Sequence, residues 1–135
     1  MPRPRLADFF AEVAEAFRTN GVRIVYGTVR LIERDTETFL PWAREPWACT
    51  ILNLHVENTP AGVEKAADAF RALIDMALRR TGSYFLTYNR YARREQVEAA
   101  YSRFAEFLRR KESLDPDSRF QSDWWRHYSR MFAAR

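Results

Sequence analysis

An α+β fold, with helices gathered on one face of a mainly antiparallel sheet, is the class the sequence predicts, and three observations predict it. Apolar residues recur at helical spacing in four stretches, β-branched and aromatic residues alternate with period two in three others, and the order is helix, strand, strand, helix, strand, helix, helix. With 135 residues, 47% of them hydrophobic and 15% aromatic, the chain reads as one domain, 1–135, with material for its own core.

Leu6, Phe9, Phe10, Val13 and Phe17 form one stripe of a helix over residues 4–19. Asn20 and Gly21 close it, because both tolerate the left-handed backbone of a helix end. Residues 22–33 read as a long strand with Val25, Val29 and Leu31 on one face and Tyr26, Thr28 and Arg30 on the other. Residues 34–46, with Asp35, Pro41 and Pro46, read as an irregular connection carrying Phe39, Leu40 and Trp42. A second two-faced strand follows over 47–57, with Leu52, Leu54 and Val56 opposite Ile51, Asn53, His55 and Glu57.

Thr59 and Pro60 pair a capping hydroxyl with a proline at the first helical position. The helix they start has the widest apolar face in the chain, from Val63 through Phe70 and Ile74 to Leu78, and Gly82 ends it. Tyr84, Phe85, Leu86 and Tyr88 then mark an aromatic strand over 83–90 that runs into Asn89 and Arg90. Val97, Tyr101, Phe104 and Leu108 predict one amphipathic helix, broken at Asp115-Pro116 before a last short helix over about 122–132. Trp124, Trp125, Tyr128 and Phe132 give that helix more aromatic surface than it can bury alone, so they are core or a partner-facing patch.

From its first helix onward this order matches a ferredoxin-like unit with the opening strand missing and a C-terminal helical extension. The missing strand is central in that topology, which leaves a gap between strands 47–57 and 83–90. Residues 1–5, another copy of the chain or a separately encoded domain is expected to fill or cover it.

Composition excludes several classes. No apolar run reaches the length that spans a bilayer and no signal peptide is recognisable, so the expectation is a cytoplasmic protein with no membrane span. Cys49 is the single cysteine, and with only His55 and His127 beside it no zinc-spaced ligand set exists, so no metal is expected. Cys49 itself reads as a small core residue. The net charge is +4 and the pI about 9.6, but the basic clusters at Arg79-Arg80, 90–94 and 109–111 are interleaved with Glu95, Glu98, Glu106, Glu112, Asp115 and Asp117. Such mixed faces are commonly solvated, and no nucleic-acid partner is expected.

If the helices cover the apolar side of the strands, Tyr26, Thr28, Arg30, Asn53 and His55 remain on the other. A face of that chemistry is costly to bury dry and suits a polar ligand held against a planar ring.

Three stretches carry a resemblance: Lys111 with Asp115-Pro116 and Arg119-Phe120-Gln121-Ser122-Asp123 behind the aromatic strand and helix, residues 27–45 (GTVRLIERDTETFLPWARE), and residues 51–78. Together they resemble the C-terminal, substrate-side domain of FAD-linked oxidases of the vanillyl-alcohol oxidase superfamily, which includes sugar-lactone, alditol and decaprenylphosphoryl-ribose oxidases. The resemblance implies a sheet that roofs the substrate above the isoalloxazine ring. It implies catalytic roles for Arg30, His55 and Tyr88, substrate contacts from Tyr26, Thr28, Asn53 and Asn89, and a flavin-domain contact from Lys111.

Arg30 matches the arginine of a Glu-x-Arg pattern near the flavin, with Thr28 in the place of the glutamate. Its role there is to polarise substrate or stabilise negative charge on reduced flavin, and the competing reading is a cross-strand salt bridge with Glu57 or a nearby acid. His55 would orient or deprotonate a substrate hydroxyl, against a plain surface role. Tyr88 and Phe85 stand where the lactone oxidases carry the lysine and histidine of a His-Trp-x-Lys pattern, which leaves the substrate open among small polyols and sugars.

A flavin-binding domain is missing from the chain. Its four glycines, at positions 21, 27, 62 and 82, never cluster into a phosphate-binding loop. FAD is therefore expected only where a flavin-binding domain or subunit supplies it, and the chain alone is expected to be inactive. The alternative is a non-catalytic interaction or small-ligand-binding module that forms a homodimer through the uncovered sheet.

Overall fold

Met1 and Pro2 lie along the edge of a sheet before a 3-10 turn, Arg3–Arg5, directs the chain into α1, Leu6–Thr19. β1, Ile24–Ile32, and β2, Trp47–Leu54, make a two-stranded antiparallel sheet. α2, Pro60–Leu78, α3, Arg94–Ala100, α4, Phe104–Leu114, and α5, Asp123–Ala133, complete an α+β architecture. The computed structural model describes residues 1–133.

The first two helices form as their sequences require. α1 buries Phe9, Val13 and Phe17, and the Asn20 amide donates to the Ala16 carbonyl at 2.8 Å before Gly21 turns the chain at φ 59°. In α2 the Thr59 hydroxyl accepts from the Gly62 N–H at 3.0 Å, with Pro60 in the first turn. α1 and α2 pack on each other and over Leu52 and Leu54 of β2. Glu12 of α1 clamps the end of α2 by accepting from Arg80 at 2.6 Å and from Arg79.

The hydrogen bond from Arg80 holds the Glu12 carboxyl below the ordinary glutamate range, with Arg79 helping. A carboxylate whose pKa is depressed by folding stabilises above its unfolded pKa and loses that contribution as pH falls through the folded one. Glu12→Gln should thus lower the urea midpoint at neutral pH by the equivalent of about 1 kcal/mol or less after solvent screening. The difference should close on acidification below the carboxylate range.

A second core holds the C-terminal half. Ile74, Tyr84, Leu86, Val97, Tyr101, Phe104, Leu108, Trp125 and Tyr128 are buried together. The aromatic surplus of α5 is therefore core: Tyr128 is fully enclosed, and the Trp124 indole N–H reaches the Leu86 carbonyl at 3.0 Å.

Four expectations need correction. Residues 83–90 form no strand, although Tyr84 and Leu86 point inward and Phe85 and Thr87 outward, because no neighbouring strand lies beside them to pair with. With only β1 and β2 among the described residues, the ferredoxin-like sheet is not seen. The single helix expected around Val97 and Phe104 is two, because Tyr101 leaves helical geometry at φ −134°, ψ 80° to bury its ring and donate its hydroxyl to the Tyr84 carbonyl. Finally, α1 and α2 cover β2 but not β1, so Val25 and Leu31 stay 64% and 68% exposed where helix cover was expected.

The expected gap between two strands is not there as such, since 83–90 form no strand, but of residues 1–5 Met1 and Pro2 pair with the outer edge of β2. The Ala48 N–H donates to the Met1 carbonyl at 2.9 Å, the Met1 amine donates back to the Ala48 carbonyl at 3.2 Å, and Pro2 bridges Trp47 antiparallel. Gly82 packs against this pair, where a Cβ would come within 2.8 Å of the Ala77 carbonyl and 3.0 Å of Met1 Cβ.

Candidate functional site

Beyond Ala48 lies a cavity of about 510 Å³. One wall is the outer edge of β2 and the other is the irregular segment 83–91, with Phe70, Leu73 and Ile74 of α2 beneath. Two antiparallel strands place cross-strand partners on the same face, and here the pairs Tyr26 with Asn53, Thr28 with Ile51 and Arg30 with Cys49 define the face away from α1 and α2. Arg30, Asn53, Tyr88 and Asn89 all line the cavity, although they come from β1, β2 and the segment that was expected to be a strand.

An aromatic run backs them. Trp42 lies 4.8 Å from Phe85 and Phe85 lies 4.9 Å from Tyr88, ring centre to ring centre. Tyr88 is 71% exposed at the end of that run. Arg30 forms no ion pair among the described residues, so the expected alternative of a bridge to Glu57 is not made.

The remaining candidates lie elsewhere. Tyr26 and Thr28 share the face by register but are exposed beside the cavity. β2 ends at Leu54, and His55 is exposed past it, with its backbone N–H bonded to the Arg23 carbonyl at 2.8 Å. Lys111 is engaged at the end of α4, where it pairs with Asp115 and lies 4.4 Å from the centre of the Trp125 ring. Asp115 also accepts from the backbone of Arg119 and Phe120 at 2.8 and 3.0 Å, so the Lys111 ending serves to terminate a helix and fix the following turn.

Cys49, expected in the core, is half-buried at the cavity, opposite Arg30. Burial pushes its thiol pKa up, against the opposing pull of the Met1 ammonium and Arg30, so it is not an activated nucleophile. Its place was readable from period two, since Cys49, Ile51 and Asn53 share one side of β2. Trp42 and Phe85 are lining residues that no periodicity could have paired, because both sit in irregular segments.

Among the described residues no group of His, Cys, Asp and Glu is placed to hold a metal ion, and no helix is long and apolar enough to cross a membrane. No family model, curated protein or solved structure matches the chain.

Proposed function

We propose that this chain is the C-terminal, substrate-side domain of an FAD-dependent oxidoreductase acting on CH–OH groups of small polyols, sugars or lactones, inactive until a flavin-binding domain or subunit joins it. The observation that supports this reading is the convergence of Arg30, Asn53, Tyr88 and Asn89 on one cavity. A bound flavin would accept the hydride; this chain's residues would bind and orient. Arg30 brings a permanent positive charge with no acidic partner among the described residues, suited to a developing alkoxide or an anionic ring edge. Asn53 and Asn89 each offer donor and acceptor groups to hydroxyls, and Tyr88 adds a phenol on an exposed ring.

The fit covers the ring side of a flavin only. Gly27, Gly62 and Gly82 are packed against Leu52, the Glu57 carbonyl and the Ala77 carbonyl, and Gly21 closes α1. The four never cluster into a phosphate-binding loop, so a flavin domain outside these 135 residues would cradle the pyrophosphate. Titrating the chain into the FAD-loaded flavin-binding domain of an alditol oxidase should change flavin fluorescence saturably, with about tenfold weaker binding for Arg30→Ala, the loss of one charge-assisted contact. Unchanged fluorescence at every ratio overturns the reading.

A second reading draws on β1, whose Val25, Val29 and Leu31 are exposed. A long apolar edge strand of that kind favours self-association, as in a non-catalytic homodimeric module.

A further inference from the structure

The edge of β2 that faces away from β1 is paired at Ala48 and open beyond it. In an antiparallel ladder successive residues direct their N–H and C=O alternately to the two sides. Ala48 directs its own to Met1, so Thr50, Leu52 and Leu54 present theirs on the same outer side. No backbone bond reaches them there among the described residues. The Thr50 hydroxyl is also buried without a partner. These groups face a cavity floored by Phe70, Leu73 and Ile74 rather than bulk water, where unpaired backbone polar groups are costly.

We propose that this groove takes one extended segment of a partner polypeptide, paired antiparallel to β2 in line with Met1 and Pro2. Three features define that occupant. Pro2 opposite Trp47 sets the direction, because a strand continuing along β2 toward Leu54 from the Met1 end keeps the same antiparallel ladder. Cys49 to Leu54 at about 3.3 Å per residue give room for roughly six residues, apolar on the α2 side. Arg30 is the one charged side chain among the lining residues, and it pairs with Cys49 at the end near Met1, so the occupant's C-terminal end carries an acidic group.

A second copy of the chain fits less well. Its free strand edge belongs to β1, which is bound to β2 and its covering helices, whereas this groove is closed opposite by residues 83–91 and admits a single strand. The mode is strand addition, in which main-chain bonds give affinity and alternate side chains give selectivity. It stands on the backbone geometry of β2 and on the charge of Arg30, and does not depend on flavin.

The probe is a fluorescein-labelled hexapeptide of alternating threonine and valine ending in glutamate, amidated at its C-terminus so that the glutamate side chain is its one acidic group at that end. It should bind saturably, and slow hydrogen exchange at the amides of Thr50, Leu52 and Leu54 by about tenfold or more. The same peptide methylated at every second amide nitrogen should bind about tenfold more weakly for its lost ladder bonds. A glutamine-ended peptide should bind several-fold more weakly to the native chain, and equally well to Arg30→Gln.

No binding, equal binding of the methylated peptide, or protection confined to β1 overturns the proposal. So does a concentration-dependent dimer in sedimentation that protects Thr50 and Leu52 without peptide, because the occupant is then a second copy. The assay contains no flavin, so its failure leaves the oxidoreductase reading standing, whereas saturable binding puts a strand in the cavity where that reading places the substrate.

Discussion

Phe104→Ala is expected to destabilise the chain by about 3–5 kcal/mol, the range for removing a large side chain from a packed interior. Phe104 is 1% exposed, and its ring centre lies 5.1 Å from those of Tyr128 and Phe132 and 5.7 Å from that of Trp124. Those partners belong to α5, so the ring joins α4 to the last helix together with Phe107 on Trp124 and Lys111 on Trp125. Its removal leaves a cavity between helices that the bond from Trp124 to the Leu86 carbonyl holds in place. A loss of that size is a large part of the stability of a domain this small. The urea midpoint should fall steeply, and Phe104→Leu should recover part of it. A change under about 1 kcal/mol would mean that α5 does not pack here.

Gln96 is the second sensitive position. It is 2% exposed, and every polar atom of its side chain is used. The amide nitrogen donates to the Arg71 carbonyl at 2.8 Å and to the Asp75 carboxylate at 2.6 Å, and the amide oxygen accepts from the Arg93 N–H at 3.0 Å. Gln96→Leu leaves the Arg93 N–H without its acceptor and takes a donor from the Arg71 carbonyl, while Asp75 keeps its ion pair with Arg93 at 3.0 Å, so the cost is about 1–3 kcal/mol.

Gln96→Glu tests the same network through charge. A carboxylate there accepts where the amide donates, and it faces Asp75, so destabilisation at neutral pH should exceed that of Gln96→Leu. Acidification should partly restore stability, because a protonated carboxyl again supplies a donor. Equal effects at both pH values would show that Asp75 does not face this side chain.

Where periodicity and burial agree, the sequence was informative. α1, α2, β1 and β2 follow from Phe9 and Val13, from Thr59-Pro60, and from alternation that reaches cross-strand pairs such as Arg30 with Cys49. The segment 83–90 shows the limit of that signal. Its alternation is real in burial, but a strand is defined by its neighbour, and no side-chain pattern states whether the neighbour is present.

Tyr101 shows a second limit, since its helical spacing is kept while its backbone departs to satisfy a hydroxyl. At the site, Arg30 and Asn53 were legible because register fixes a face. Tyr88 and Asn89 reach the same cavity from an irregular segment, and His55, one residue past the end of β2, does not line it. The exposure of β1 was invisible for a similar reason: α1 and α2 pack on each other and seat over one strand, a choice that no single helix encodes.

The most direct test of the oxidoreductase reading is the anaerobic reaction of this chain, mixed with an FAD-loaded flavin-binding domain, against a panel of small polyols, sugars and lactones. The account predicts that the oxidised-flavin absorbance bleaches with at least one of them, only when this chain is present, and much more slowly with Arg30→Ala. An absorbance that stays unbleached across the panel, with the two polypeptides shown to be bound to each other, would contradict it.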